Sequence, residues 1–166
     1  GTDVHSINMR AAGLKTRDQA KTFIYGFLFG AGDAKIGQIV GGGAKDGRKL
    51  KTQFLKTFPT LKRLQNRLKL EFEKTGNKFI TAQDGRHLQV GSDHKLLNYL
   101  LQGNEAILAK EWAIISDKLI KKNNIDCKLL AIVHDEQNFE CSEGDAEKLA
   151  VLLEKSATMA GEKLGF

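Results

Sequence analysis

Apolar positions along the chain keep a helical period through the first half and change to strand-like alternation twice in the second. Over residues 16–30, Ala20, Phe23, Ile24, Phe27 and Leu28 recur at steps of three and four, and Thr16 stands where a helix N-cap belongs. Residues 1–15 read as a short polar lead. Glycines crowd residues 26–47, which predicts short helices separated by tight turns. Over 45–74, Leu50, Phe54, Leu55, Phe58, Leu61, Leu64, Leu68 and Phe72 predict a long amphipathic helix, kinked or broken near Phe58 because Pro59, the only proline, follows.

The period then shifts. Residues 78–81 and 87–90 predict a hairpin around Asp84-Gly85-Arg86. Ser92 is a candidate cap for a helix over about 95–122, with Leu96, Leu97, Leu100, Leu101, Ile107, Leu108, Trp112, Ile115 and Leu119 on its core face. A second hairpin, 128–133 and 137–141, turns at His134-Asp135, and a helix over about 144–161 closes the chain. The expectation is an α+β fold, with a helical lobe over 1–75 and a mixed lobe over 76–166 that holds a small antiparallel sheet and long helices.

The polar side of the first helix carries chemistry. Arg17, Lys21, Tyr25 and Phe29 follow at four-residue steps and make a stripe about 18 Å long at 1.5 Å per residue. Cations at one end and rings at the other suit a nucleotide; an ordinary amphipathic helix with a solvated basic edge is the other reading. The net charge of +6, from 26 basic and 20 acidic residues, favours an anionic partner. No apolar run approaches the roughly 18 residues of a membrane span, and Gly1-Thr2-Asp3-Val4-His5 has neither the basic start nor the apolar stretch of a signal peptide. A cytoplasmic protein is expected. A start without Met reads as internal to a longer polypeptide. The glycine-rich segment lacks G-x4-G-K-[ST], so it is no nucleotide P-loop. Cys127 and Cys141, the only cysteines, fit a reducing compartment, and Cys-x6-His-x6-Cys matches no usual zinc spacing.

In the second hairpin, Leu129-Leu130-Ala131-Ile132-Val133 runs straight into His134-Asp135-Glu136. A buried strand that ends in adjacent carboxylates delivers hard oxygen ligands to one fixed point, as Mg²⁺ requires. A polar surface turn is the alternative.

Three blocks together, Arg17-x3-Lys21-x3-Tyr25-Gly26, Asn98-x3-Gln102-Gly103 and Val133-His134-Asp135-Glu136, resemble the DNA polymerase I family, family A. The wording between them is most similar to the replicative polymerases of short-tailed phages, and the resemblance spans essentially the whole chain. It implies template-directed DNA synthesis by a fingers subdomain over 1–75 and the C-terminal part of the palm over 76–166. Arg17 and Lys21 would grip the triphosphate of the incoming dNTP, with Lys21 also a proton donor to the departing pyrophosphate. Tyr25 would lie against the incoming sugar and base, and His5 near the β-phosphate. Asp135, with Glu136 as its weaker neighbour, would hold two Mg²⁺ ions at the primer 3′ end. His134 would contact the primer-terminal phosphate. His94, Asn98 and Gln102 would face the minor-groove side of the primer-template DNA, and Phe29 and Gly30 would lie near the template base. Phe29 departs from the family's usual Tyr.

The family's first catalytic motif, Asp-x-Ser-x-x-Glu, is not found. One hairpin carboxylate cannot hold two ions about 3.5–4 Å apart. The chain is therefore expected to be a polymerase fragment that is nearly inactive alone and needs an upstream segment, in the same protein or as a separate chain. A palm sheet short of strands leaves an edge at which self-association is expected. Two other readings stand beside this one: a non-catalytic DNA-binding remnant of a polymerase, and an RNA-synthesising relative that shares the palm.

Overall fold

The computed structural model describes residues 3–165. In chain order the elements are α1 (Val4–Ala12), α2 (Arg17–Leu28), α3 (Asp33–Gln38), α4 (Ala44–Thr57), α5 (Pro59–Lys74), β1 (Phe79–Thr81), β2 (His87–Gln89), α6 (Leu96–Lys122), β3 (Cys127–Val133), β4 (Glu136–Cys141) and α7 (Ala146–Leu164). Single 3-10 turns, Asp93–Lys95 and Glu143–Asp145, lead into α6 and α7. The two sheets are antiparallel hairpins, β1–β2 and β3–β4. The α+β class expected from the sequence is what the chain adopts. No helix among the described residues is long and apolar enough to cross a membrane.

The chain forms two compact units, Gly1–Leu101 and Gln102–Phe166. Compactness thus divides it within α6 rather than near residue 75, because the β1–β2 hairpin shares the core of the helical part through Ile80 and Val90. Charge divides with it. The first unit has 18 Lys and Arg against 8 Asp and Glu, net +10; the second has 8 against 12, net −4.

Several local expectations changed. The polar lead is helix α1 over Val4–Ala12, and residues 1 and 2 of the lead lie outside the described residues. Asp3 caps it by accepting from the His5 N–H at 3.0 Å, and Gly13, at φ 71°, closes it as the Leu14 N–H reaches the Met9 carbonyl at 2.9 Å. Buried Ala11 and Ala12 join Leu14 in the core. The break expected near Phe58 is present: α4 and α5 are two helices with Phe58 between them and Pro59 at the first position of α5, where a missing N–H costs nothing. Ser92 makes no side-chain cap bond, and the 3-10 turn intervenes before α6. Finally, β3 is not buried: Leu130 is 63% exposed and Val133 50%. It pairs only with β4, and a bulge between Leu129 and Ala131 sets Leu130 outside the register. Leu101 on α6 is exposed as well.

Helix α2 enters through a reciprocal capping box. The Thr16 hydroxyl accepts from the Gln19 N–H at 3.2 Å, and the Gln19 side-chain carbonyl accepts from the Thr16 N–H at 3.3 Å. Its inner face is aromatic. Phe54 of α4 meets Phe23 and Phe27 edge-on at centroid separations of 5.1 and 5.2 Å, and its neighbour Phe58 at 4.9 Å. At α3–α4 the backbones touch, since a Cβ on Gly47 would lie 1.8 Å from the Asp33 carbonyl oxygen.

In the second unit, Ile120, Leu149 and Leu152 form a small core that Phe139, Ile125 and Leu153 extend. Buried hydroxyls join α6 to α7: the Trp112 indole N–H donates to Ser156 Oγ at 2.9 Å, and Ser116 Oγ lies 2.8 Å from Ser156 Oγ. Each buried polar atom in this set therefore has a partner.

Because Phe54 fills the centre of the first core, Phe54→Ala should cost about 3–5 kcal/mol. Chemical denaturation should read this as a lower midpoint, with the loss of α2 from the cooperative transition.

Candidate active site

Burial of Phe23 and Phe27 fixes the rotation of α2, and the 3.6-residue period then sends Arg17, Lys21, Tyr25 and Phe29 to solvent. Tyr25 and Phe29 are 48% and 54% exposed, and their rings stack with centroids 6.4 Å apart and planes 16° from parallel. Lys21 is exposed and has no ion-pair partner among the described residues. Two large exposed rings beside the unpaired Lys21 ammonium form a surface that exposes apolar area to water without burying it on anything described.

Arg17 is held in place. Its Nε donates to Asp3 Oδ2 at 2.9 Å and its Nη2 to Asp3 Oδ1 at 3.3 Å, a two-pronged grip on one carboxylate. Asp3 also accepts from the His5 N–H and, at 3.0 Å, from the Ser6 hydroxyl. The guanidinium, followed by the His5 N–H bond, holds the Asp3 carboxyl well below the usual carboxylate range and raises Arg17 further. One residue thus caps α1 and orients the first cation of α2. Two prongs leave the remaining guanidinium N–H groups of Arg17 pointing away from Asp3. Sequence reasoning took Asp3 only as part of the lead, because a contact 14 residues away leaves no periodic trace. His5 is half-buried in α1, and its Nδ1 has no hydrogen-bond partner among the described residues.

The far end of α2 is set by Gly30. Its φ of 75° suits glycine, and a Cβ there would lie 2.2 Å from the His94 carbonyl oxygen. Close backbone approach therefore brings Phe29-Gly30 to the segment that carries His94. The His94 ring is exposed, with Nε2 3.3 Å from Ser92 Oγ and Nδ1 3.8 Å from the Asp93 carboxylate. Half-buried Asn98 and exposed Gln102 follow one turn apart on α6.

In the second unit, Val133 pairs with Glu136, so His134-Asp135 is a two-residue turn. His134 has φ 53° and is, apart from Asn and Gly, the one described residue with positive φ. That conformation costs about 1–2 kcal/mol, and strain of this kind is retained where surrounding structure over-determines it. The turn leaves His134, Asp135 and Glu136 exposed at the tip. Asp135 borders a cleft of about 210 Å³ lined otherwise by Glu105, Leu108, Ala109, Trp112 and Ala157. Glu105 escaped the sequence reading; its position three residues after Gln102 was the available signal.

The donor set at the tip is hard and anionic, which fits Mg²⁺ chemistry. Asp135 and Glu136 have no ion-pair partner among the described residues, yet no three His, Cys, Asp or Glu side chains cluster there or elsewhere among them as a metal site would need. Asp135 and Glu136 by themselves are fewer donors than such a site needs.

Comparison with known proteins decides the family. The profile of DNA polymerase family A matches residues 1–164. The chain belongs to DNA polymerase family A. It is 40% identical over 169 residues to the DNA-directed DNA polymerase of Escherichia phage Phieco32, covering 98% of this chain and 27% of that protein. It is 36% identical over 181 residues to the DNA-directed DNA polymerase of Escherichia phage T7, covering 98% of this chain and 25% of that one. The chain thus spans about a quarter of the length of these curated relatives. Its fold superposes, at a TM-score of 0.81 and 23% identity, on the POL domain of Pol1 from M. smegmatis, solved in complex with DNA primer-template and dNTP, covering 95% of this chain and 31% of that one. The family A resemblance read from the three blocks is thereby shown, as is the similarity to phage enzymes.

Asp3→Ala should release Arg17 and fray α1, seen as faster amide hydrogen exchange over 4–12. The sign of its pH dependence follows from the lowered carboxyl: the contribution is complete above the unfolded carboxylate range, about pH 4, and is lost as pH falls through the lower folded value. Wild-type and variant exchange should therefore differ at neutral pH and converge only in strong acid.

Proposed function

We propose that this chain is the nucleotide-gripping fingers, residues 1–75, and the C-terminal part of the palm, residues 76–166, of a template-directed DNA polymerase that adds deoxynucleotides to a primer 3′ end. The observation that carries the reading is the exposed Arg17, Lys21, Tyr25 stripe on a helix whose rotation is fixed from behind. Relatives named DNA-directed DNA polymerase, and a fold neighbour solved with primer-template and dNTP, support it.

The chemistry follows from charge. Phosphoryl transfer spreads negative charge over the transferring oxygens, so positioned cations lower its barrier more than covalent help would. Arg17, anchored through Nε and Nη2, keeps its other guanidinium N–H groups for phosphate. Lys21, one turn on, is a mobile ammonium that follows the developing charge and can donate a proton to pyrophosphate. His5 beside Asp3 would add a donor near the β-phosphate. Tyr25 offers its ring to the sugar and base, and Phe29 with Gly30 meets the template base. His94, Asn98 and Gln102 would present donors to minor-groove acceptors, which are similar for every base pair and so report pairing shape rather than sequence. His134, pushed forward by its positive φ, would meet the primer-terminal phosphate.

Asp135 would hold Mg²⁺ with Glu136 beside it, and the bound ions would supply charge neutralisation and activation of the primer hydroxyl. A second aspartate is proposed to come from an upstream segment, in the same polypeptide or another chain, since no Asp-x-Ser-x-x-Glu run occurs in these residues. The exposed apolar side chains of β3 favour further strand pairing, with either that segment or a second copy.

Primer extension tests this reading. A polypeptide that joins these residues to an upstream segment bearing the first motif should extend a primed template. Lys21→Ala should lower the rate on the order of 10²-fold and Asp135→Asn by 10³-fold or more, with the 166 residues alone nearly inactive. DNA binding without any extension, left unchanged by Asp135→Asn, would instead favour a DNA-binding remnant, and robust extension by the isolated chain would refute the need for an upstream carboxylate.

A further inference from the structure

Cys127 and Cys141 stand directly opposite each other at the open end of the β3–β4 hairpin, and neither the nucleotide stripe nor the Asp135 corner uses them. Opposed residues of an antiparallel pair put their side chains on one face with Cα atoms about 4.5 or 5.5 Å apart. Either spacing lies inside the roughly 4.4–6.8 Å that a disulfide bridges. The face is shared with the core of the second unit, where both cysteines pack against Ile120, Leu149 and Leu152. Both thiols are free and half-buried rather than sealed in. An open depression of about 260 Å³, lined by Asp126, Cys127, Lys128, Glu140, Cys141 and Ser142, gives a small reagent access.

We propose that Cys127 and Cys141 are a reversible dithiol–disulfide pair that clamps the base of the hairpin whose tip carries Asp135. The proposal rests on strand register, not on the polymerase reading, so either can fail without the other. The co-reactant is a low-molecular-weight disulfide. One cysteine thiolate attacks a sulfur of the reagent, whose S–S bond breaks to release one small thiolate that takes up a proton. The other cysteine, as thiolate, then attacks the protein sulfur of the mixed disulfide, forms the Cys127–Cys141 bond and releases the second small thiol. The two protein thiols lose two protons and two electrons, and the reagent gains both. Burial and the nearby charges of Cys141, Asp126 and Asp145 push the Cys127 thiol up. The same acidic rim disfavours anionic reagents, so a neutral disulfide is the better partner.

The test equilibrates the 166-residue chain with 2-hydroxyethyl disulfide and 2-mercaptoethanol at graded ratios, folded and in urea, followed by acid quench, alkylation and mass spectrometry. The folded chain should lose two hydrogen masses, yield one cross-linked 127–141 peptide pair and recover both thiols with dithiothreitol. Its equilibrium constant for the bridge should exceed that in urea by about tenfold or more, equivalent to about 30 mV. Cys141→Ser should stop at a mixed disulfide on Cys127. Separate mixed disulfides or persistent thiols on both cysteines of the folded chain, dimers in place of the internal bridge, or equal constants in the two states would overturn the proposal.

Discussion

Edge-on packing of Phe54 against Phe23 and Phe27 is the contact on which the rest of the first unit depends. Helix α2 has one rotational freedom that matters, and burying those two rings removes it. Every fourth residue on the opposite side is then committed to water, whatever its chemistry. The helix thus exposes Tyr25 and Phe29 because its other face is fully engaged, and the stacking between them limits the cost. The ends are pinned by separate devices. The Thr16 and Gln19 box and the Asp3 clamp on Arg17 fix the start, and backbone contact between Gly30 and His94 fixes the finish.

The second unit solves a different problem, which is to hold carboxylates at one point without neutralising them. A two-residue turn with His134 at positive φ projects Asp135 and Glu136 from the end of a strand pair. A small apolar core holds the base of that hairpin against α6 and α7, which the Trp112, Ser116 and Ser156 bonds join to each other. Charge follows this division of labour, with a basic first unit and an acidic second one. The proposed polymerase function would give both halves a common purpose, since phosphate calls for cations and metal ions for carboxylates.

What the sequence disclosed was what local chemistry decides. Thr16 as a cap, the interruption at Phe58-Pro59 and both hairpins were legible because capping, proline and turn residues act over a few positions. The four-residue stripe and the His134-Asp135-Glu136 corner were legible for the same reason. Helix α1 was not, because its exposed Val4 and Ile7 blur the apolar period and its cap is the same Asp3 that binds Arg17. The exposure of Leu130 and Val133 was also hidden: an apolar run reads as buried, and nothing local says how many strands will pair beside it. Glu105 and the Asp3 clamp depend on tertiary proximity, which single-sequence periodicity does not carry.

The central claim is that α2 presents a face built for a nucleoside triphosphate. A backbone-amide NMR titration of the 166-residue chain with a dNTP and Mg²⁺ addresses it directly. The account predicts shifts concentrated at Arg17, Lys21 and Tyr25, with smaller ones at His5, and their loss in Lys21→Ala. Equal shifts across the lysines of α4 and α5, or a response unchanged by Lys21→Ala, would show general attraction to a basic surface and contradict it.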